Sequence, residues 1–267
     1  MAGDIVTTDK LVFEALDLMK ASRPDEALPL LTRALAFDPE NDAAYDLFIE
    51  AHMQLKRFDR VVRLVDEGIA QNRPAGLLLV WKALAHAEMS ELEEAEIAAR
   101  QAIEHDIRLD TAVVALSTVL VRQNRGEDAL RACQAFMQKH PENEVVACHE
   151  IEVASQLDLF DQVVDRALAY MRRFGKDPTV LDLLGTAYID LGDLRKADRA
   201  FRTAAMLDPD VAEHHCNVIL TAHLLGDAPT AENYLEKLGK RDAELASQVK
   251  TGLDEFFSGL DEEHEPE

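Results

Sequence analysis

The chain has 267 residues, 48% hydrophobic and only 6% aromatic, enough to bury a core. Its 28 Lys and Arg stand against 51 Asp and Glu, a formal charge of −23 that makes phosphate backbones and anionic lipid surfaces poor partners. Cys133, Cys148 and Cys216, an odd count without a C-x-x-C pair, argue against a disulfide framework or a zinc ribbon and fit a reducing compartment.

Residues 1–10 contain no basic stretch followed by an apolar one, so no signal peptide is expected. The longest apolar run, residues 75–81, is too short to span a bilayer. The expected location is cytoplasmic, with no direct membrane insertion. After a lead-in over residues 1–7, a small residue recurs at one fixed interval: Ala27, Val61, Ala95, Ala129, Val163, Ala197 and Ala231. That register predicts seven helix pairs, at residues 8–41, 42–75, 76–109, 110–143, 144–177, 178–211 and 212–245. Ser22-Arg23-Pro24, Asn124-Arg125-Gly126 and Gly226-Asp227 supply turn chemistry inside their pairs, and Pro39, Pro141 and Pro209 close pairs, with Pro74 one residue late. The second and fifth pairs depart most, having Val in the small slot and no glycine at the turn, although Phe58 and Phe160 still follow it. A second small slot, Ala34, Gly68, Ala102, Phe136, Tyr170, Ala204 and Leu238, is looser.

The sixth pair is the most complete. It runs PTVLDLLGTAYIDLGDLRKADRAFRTAAMLDPDV, with Leu181, Leu184, Gly185 and Tyr188 before the turn at Gly192 and Ala197, Phe201, Ala204 and Pro209 after it. Leu-x2-Leu-Gly-x2-Tyr, then Ala-x3-Phe, then Pro resembles the tetratricopeptide repeat (TPR) signature apart from its opening Trp. Gly185 and Ala197 are small where two antiparallel helices cross, and Gly192 can take the positive φ that ends a helix. The resemblance implies an all-α, right-handed TPR superhelix, an α-solenoid of helix-turn-helix repeats. Residues 246–260 place Val249, Leu253, Phe256, Phe257 and Leu260 on one helical stripe, read as a capping helix whose end could instead dock into a partner. Residues 261–267, with five acids and a proline, read as a disordered acidic tail.

The resemblance also implies where a ligand would lie, because first helices line the concave face of a TPR array. The family's groove positions hold Phe13, Leu16, Met19, Asp46, Leu47, Glu50, Met53, Leu77, Val80, Trp81, Leu84 and Glu88 in the first three repeats, apolar with acidic members interspersed. In the last three they are more polar, including Cys148, His149, Glu152, Asp182, Asn217 and His223. The expected partner is a protein or peptide, amphipathic or extended, apolar with basic flanks, held by a non-enzymatic scaffold or adaptor. The carboxylate clamp of co-chaperone TPR domains is missing: its positions hold Val12, Leu16, Leu47, Leu77 and Trp81, none a cation. No phosphate loop, G-x-G-x-x-G, H-E-x-x-H or calcium-loop pattern occurs, so neither cofactor, metal nor catalytic residue is expected. His214 and His215, adjacent on a helix, point about 100° apart and cannot chelate together. His52 and His86 stand in the Tyr slot of consecutive repeats and read as half-buried aromatics. Two other readings remain open: a homo-oligomer joined through its terminal helices, and an accessory subunit of a secretion, glycosylation or envelope machinery.

Overall fold

The computed structural model describes the backbone of residues 2–105 and 110–262, and the side chains of residues 8–105 and 110–253. Among the described residues there are fifteen α-helices and no strand. The chain divides into two compact units, Met1–Val146 and Ala147–Glu267. The first contains α1 (Ala2–Lys20), α2 (Pro24–Phe37), α3 (Asp42–Gln54), α4 (Phe58–Ala70), α5 (Ala75–Glu88), α6 (Leu92–His105), α7 (Asp110–Arg122) and α8 (Gly126–Lys139). The second contains α10 (Phe160–Phe174), α11 (Pro178–Asp190), α12 (Leu194–Leu207), α13 (Ala212–Leu224), α14 (Ala228–Gly239) and α15 (Ala243–Glu262), while α9 (Glu144–Gln156) starts at the boundary.

The turns inside the pairs share one backbone geometry. Ser22, Lys56, Ser90, Asn124, Asp158, Gly192 and Gly226 all have positive φ, and they stand 34 residues apart. At each, the next residue's N–H reaches back five residues, as in Arg57 N to the His52 carbonyl (2.9 Å) and Asp193 N to the Tyr188 carbonyl (2.8 Å). This Schellman arrangement satisfies carbonyls that a helix end leaves without partners. Lys56 and Asp158 adopt it without glycine, so the second and fifth pairs turn like the others despite their sequence. Asn41, Asn143 and Asp177 cap α3, α9 and α11, each side-chain oxygen accepting a backbone N–H at 2.9–3.0 Å.

The first small slot is interior throughout: Ala27, Val61, Ala95, Ala129, Val163, Ala197 and Ala231 are all buried. The second slot is buried throughout too, including Phe136, Tyr170 and Leu238. Its looseness in sequence is a trade of volume with a residue 23 positions earlier on the facing helix. Leu11 packs with Ala34, Leu79 with Ala102 and Leu181 with Ala204, whereas the small Val113 faces the large Phe136. At the other extreme, a methyl on Gly68 would stand 2.9 Å from Tyr45 Cε1. Interiors tolerate such exchanges when the total volume is kept.

In the first unit α1 and α3, α3 and α5, and α5 and α7 are neighbours, so the first helices of successive pairs form one layer. In the second, α15 lays Leu245, Ala246, Val249 and Leu253 against Ile219 and Leu238, covering the apolar side of α13 and α14. Among the described residues no helix is long and apolar enough to cross a membrane.

Candidate partner-binding site

The layer of first helices in the first unit carries the site residues expected from sequence, but at three different depths. Met19 and Val80 are 5% and 4% exposed and belong to the interior, where Met19 packs with Ala15, Ala27 and Leu31, and Val80 with Leu79 and Ala102. They cannot act as contact residues, which corrects their placement on the groove surface: a helical stripe shows a direction and not a depth. Leu16, Leu47, Met53, Leu77, Trp81 and Leu84 are half-buried, and of these Leu47, Leu77 and Leu84 lean on the same core clusters as Met19 and Val80. Phe13 is 67% exposed, while its neighbour Leu11 is core, packed with Ala34 and Ala44.

The structure brings Met53 and Trp81 together on one cluster, built from Tyr45, Ile49, Val61, Leu64, Val65, Leu78 and Ala85. Trp81 is held by its inner edge. Its indole Nε1 is buried and has no hydrogen-bond partner among the described residues, a desolvation cost of about 1–3 kcal/mol that the apolar packing must offset. Tyr45 anchors the floor, its hydroxyl donating to the Leu64 carbonyl at 2.7 Å. Arg73 lies over the Tyr45 ring at 4.1 Å, bonds Asp42 at 2.7 Å and donates to the Pro39 carbonyl, so two pairs are latched beneath this surface.

Carboxylates flank the apolar row. Asp46 is half-buried, and burial first, the nearby Asp42 second, push its carboxyl up to about 6; Arg73 offsets only part of this. Glu50 is half-buried and accepts from Gln54 at 3.2 Å, and Glu88 is exposed, 3.7 Å from Arg122. A half-buried carboxyl with a raised pKa is one whose charge the fold leaves under-compensated, and an incoming ammonium or guanidinium would supply the missing partner.

In the second unit, Asp182 is more than the ordinary polar position that the sequence suggests. His214 Nδ1 approaches its Oδ2 at 2.6 Å and Asn217 donates to its Oδ1 at 3.3 Å, joining α11 to α13. Burial raises the Asp182 carboxyl, with His214 opposing. His215 turns instead to the Pro209 carbonyl at 2.9 Å, so the adjacent histidines have separate partners. The signal for the Asp182–His214 pair lies in their spacing of 32 residues, one repeat less two, which puts them on facing first helices. His52 is buried at 7% exposure, deeper than a half-buried position, and burial, then Arg57 and Arg60, push its imidazole below the ordinary value. His86 is half-buried and meets Glu91 at 2.6 Å. No group of three or more His, Cys, Asp or Glu able to hold a metal ion occurs among the described residues. Phe256, Phe257 and Leu260 ride on the α15 backbone, and their side chains lie outside the described residues.

Comparison with known proteins adds two matches to tetratricopeptide repeat models, one over residues 18–87 and one over residues 178–211. Among solved structures, the chain is similar to a tetratricopeptide repeat protein from Parabacteroides merdae, with a TM-score of 0.59 at 10% identity over 91% of this chain and 97% of that one. It is also similar to a chain of the APC/C hetero-tetramer Cut9-Hcn1, with a TM-score of 0.58 at 15% identity. That match covers 87% of this chain but only 46% of the other, so this chain spans about half its length. A third is YrrB, described as a TPR protein with an unusual peptide-binding site, with a TM-score of 0.50 at 19% identity over 70% of this chain and 97% of that one. These identities speak for the fold alone. No curated protein matches the chain.

Proposed function

Because the chain belongs to the tetratricopeptide repeat family, we propose that it is a non-enzymatic scaffold whose first-helix layer holds a protein segment with apolar anchors and basic flanks. The repeats are divided as residues 8–41, 42–75, 76–109, 110–143, 144–177, 178–211 and 212–245, with α15 as cap. One observation supports the reading above others. Met53 and Trp81, a deformable thioether and the chain's single Trp, share one half-buried cluster in the unit that also carries the under-compensated Asp46. Phe13, Leu16, Leu47, Leu77 and Leu84 extend the apolar row, and Glu50 and Glu88 extend the acidic flank.

Trp81 is the anchor to test. Trp81→Ala removes a large contact surface from a side chain that is only partly buried, and binding of a captured partner should weaken by about 2 kcal/mol. Far-ultraviolet circular dichroism should stay helical. Unchanged affinity in a folded Trp81→Ala chain would sink the site.

A further inference from the structure

Outside the first-helix layer, the second unit contains a cleft of about 370 Å³ between α12, α13 and α14. Ala205, Pro209, His215 and Tyr234 line it with Met206, and Lys237, Lys240 and Arg241 put three cations on its edge. Three cations on one edge stand out in a chain of formal charge −23. Lys237 Nζ rests over the Tyr234 ring at 4.1 Å, whereas Lys240 and Arg241 hold Glu236 and Asp210 at 2.7 and 2.6 Å. Those two acids are 70% and 88% exposed, so the pairs are solvated and readily exchanged for another carboxylate. Met206 is 71% exposed, an unbranched apolar side chain standing at the mouth. His215 is 3% exposed, and its Nδ1 is buried without a hydrogen-bond partner among the described residues.

The same sequence carries the complementary chemistry. Residues 254–267, DEFFSGLDEEHEPE, hold seven acids and no Lys or Arg, around Phe256, Phe257 and Leu260. We propose that this acidic, apolar segment of one copy docks in the basic-rimmed cleft of a second copy. Its own cleft is out of reach. Leu245, Ala246, Val249 and Leu253 tie α15 to α13 and α14, and the helix carries Phe256 about 20 Å along its axis from Ala243. A phenyl ring enters past Met206 to lie beside Tyr234, and the carboxylates replace Glu236 and Asp210 on the rim. Segment and cleft are different patches, so the contact is heterologous: it adds copies one after another unless the rotation closes a ring.

The test uses the full chain and a fluorescent peptide of residues 254–267. The peptide should bind saturably, and the wild-type mass in sedimentation should rise with concentration beyond one chain. Lys237→Glu with Arg241→Glu should weaken peptide binding about tenfold and leave the chain monomeric. Met206→Glu, on an exposed side chain outside the core, should do the same, and a thermal melt verifies that both variants fold. A wild-type chain that sediments as a monomer at every concentration overturns the proposal, even if the peptide binds, as does peptide binding that ignores all three substitutions. The Trp81 groove plays no part in either measurement, so the two readings fail separately.

Discussion

An added methyl at Gly185 would lie 2.5 Å from Cε1 and 2.6 Å from Cζ of Phe201, a ring that is 1% exposed and cannot swing away. Gly185→Ala should therefore destabilise the chain by about 1–3 kcal/mol in urea unfolding, although alanine is the better helix former. Phe201→Leu in the same background should return part of the loss, and a double variant as unstable as the sum of the singles would show that the two positions do not share the space. Asp46 poses the opposite problem, too little company. Its carboxyl is raised to about 6 from an ordinary 3.8, so the native state holds the proton more tightly than the unfolded chain does. Stability then falls as pH rises from about 4 to about 6, and the ionised group is a liability above that window. Asp46→Asn should stabilise the fold at pH 7 by about 1 kcal/mol after solvent screening, and should flatten that part of the pH profile. The same substitution should weaken a cationic ligand. A stabilised variant with undiminished affinity would remove Asp46 from the site.

Among the elements, the turns inside the pairs show what a sequence can hide. Glycine at residues 192 and 226 is readable as a turn, but Lys56 and Asp158 reach the same left-handed conformation because backbone hydrogen bonds on both sides enforce it. A side chain there costs about 1–2 kcal/mol that glycine would not. Lys56→Gly should raise stability by about 0.5–1 kcal/mol, measurable by chemical denaturation; a loss would mean that the lysine itself contributes there. The first small slot was legible because its demand is local: one position, one size limit. The second was not, since Phe136 is acceptable only where Val113 faces it, and the facing residue is unknown until the pairs are folded. For the candidate site, position along the helix could be read from the repeat, whereas depth could not. Val80 and Trp81 are adjacent, yet one is core and the other partly exposed. The pair Asp182–His214 escaped for a related reason, its members being polar residues that only the folded chain brings to 2.6 Å. At the C-terminal side, deleting residues 246–267 uncovers Ile219 and Leu238, both fully buried, and should lower the melting temperature by several degrees. An unaltered melt would free α15 from a capping role.

For the molecule as a whole, the charge of −23 sets how a partner approaches more than how tightly it stays. Capture of a cationic amphipathic peptide should be fast at low salt and slow by about tenfold or more at high salt, mostly through the association rate. Stopped-flow binding across an ionic-strength series reads this directly, and a salt-independent rate would place the acids away from the path of entry. The pattern matches to residues 18–87 and 178–211 leave the intervening pairs to be connected by geometry, and the shared turn is what connects them.

That turn has a further consequence, for how such a chain can change length. Each joint closes its reverse-turn hydrogen bond from its own backbone, with no one amino acid required at the left-handed position. A stretch such as residues 178–211 brings its own joint at Gly192 and follows its own N-cap at Asp177. Copying or excising one whole unit therefore leaves no polar group of the turn stranded, and what must match is the two seams, their apolar contacts together with polar pairs such as Asp182–His214. Growth by duplication becomes a question of side-chain fit alone, and the array can be lengthened like a shelf rather than rebuilt.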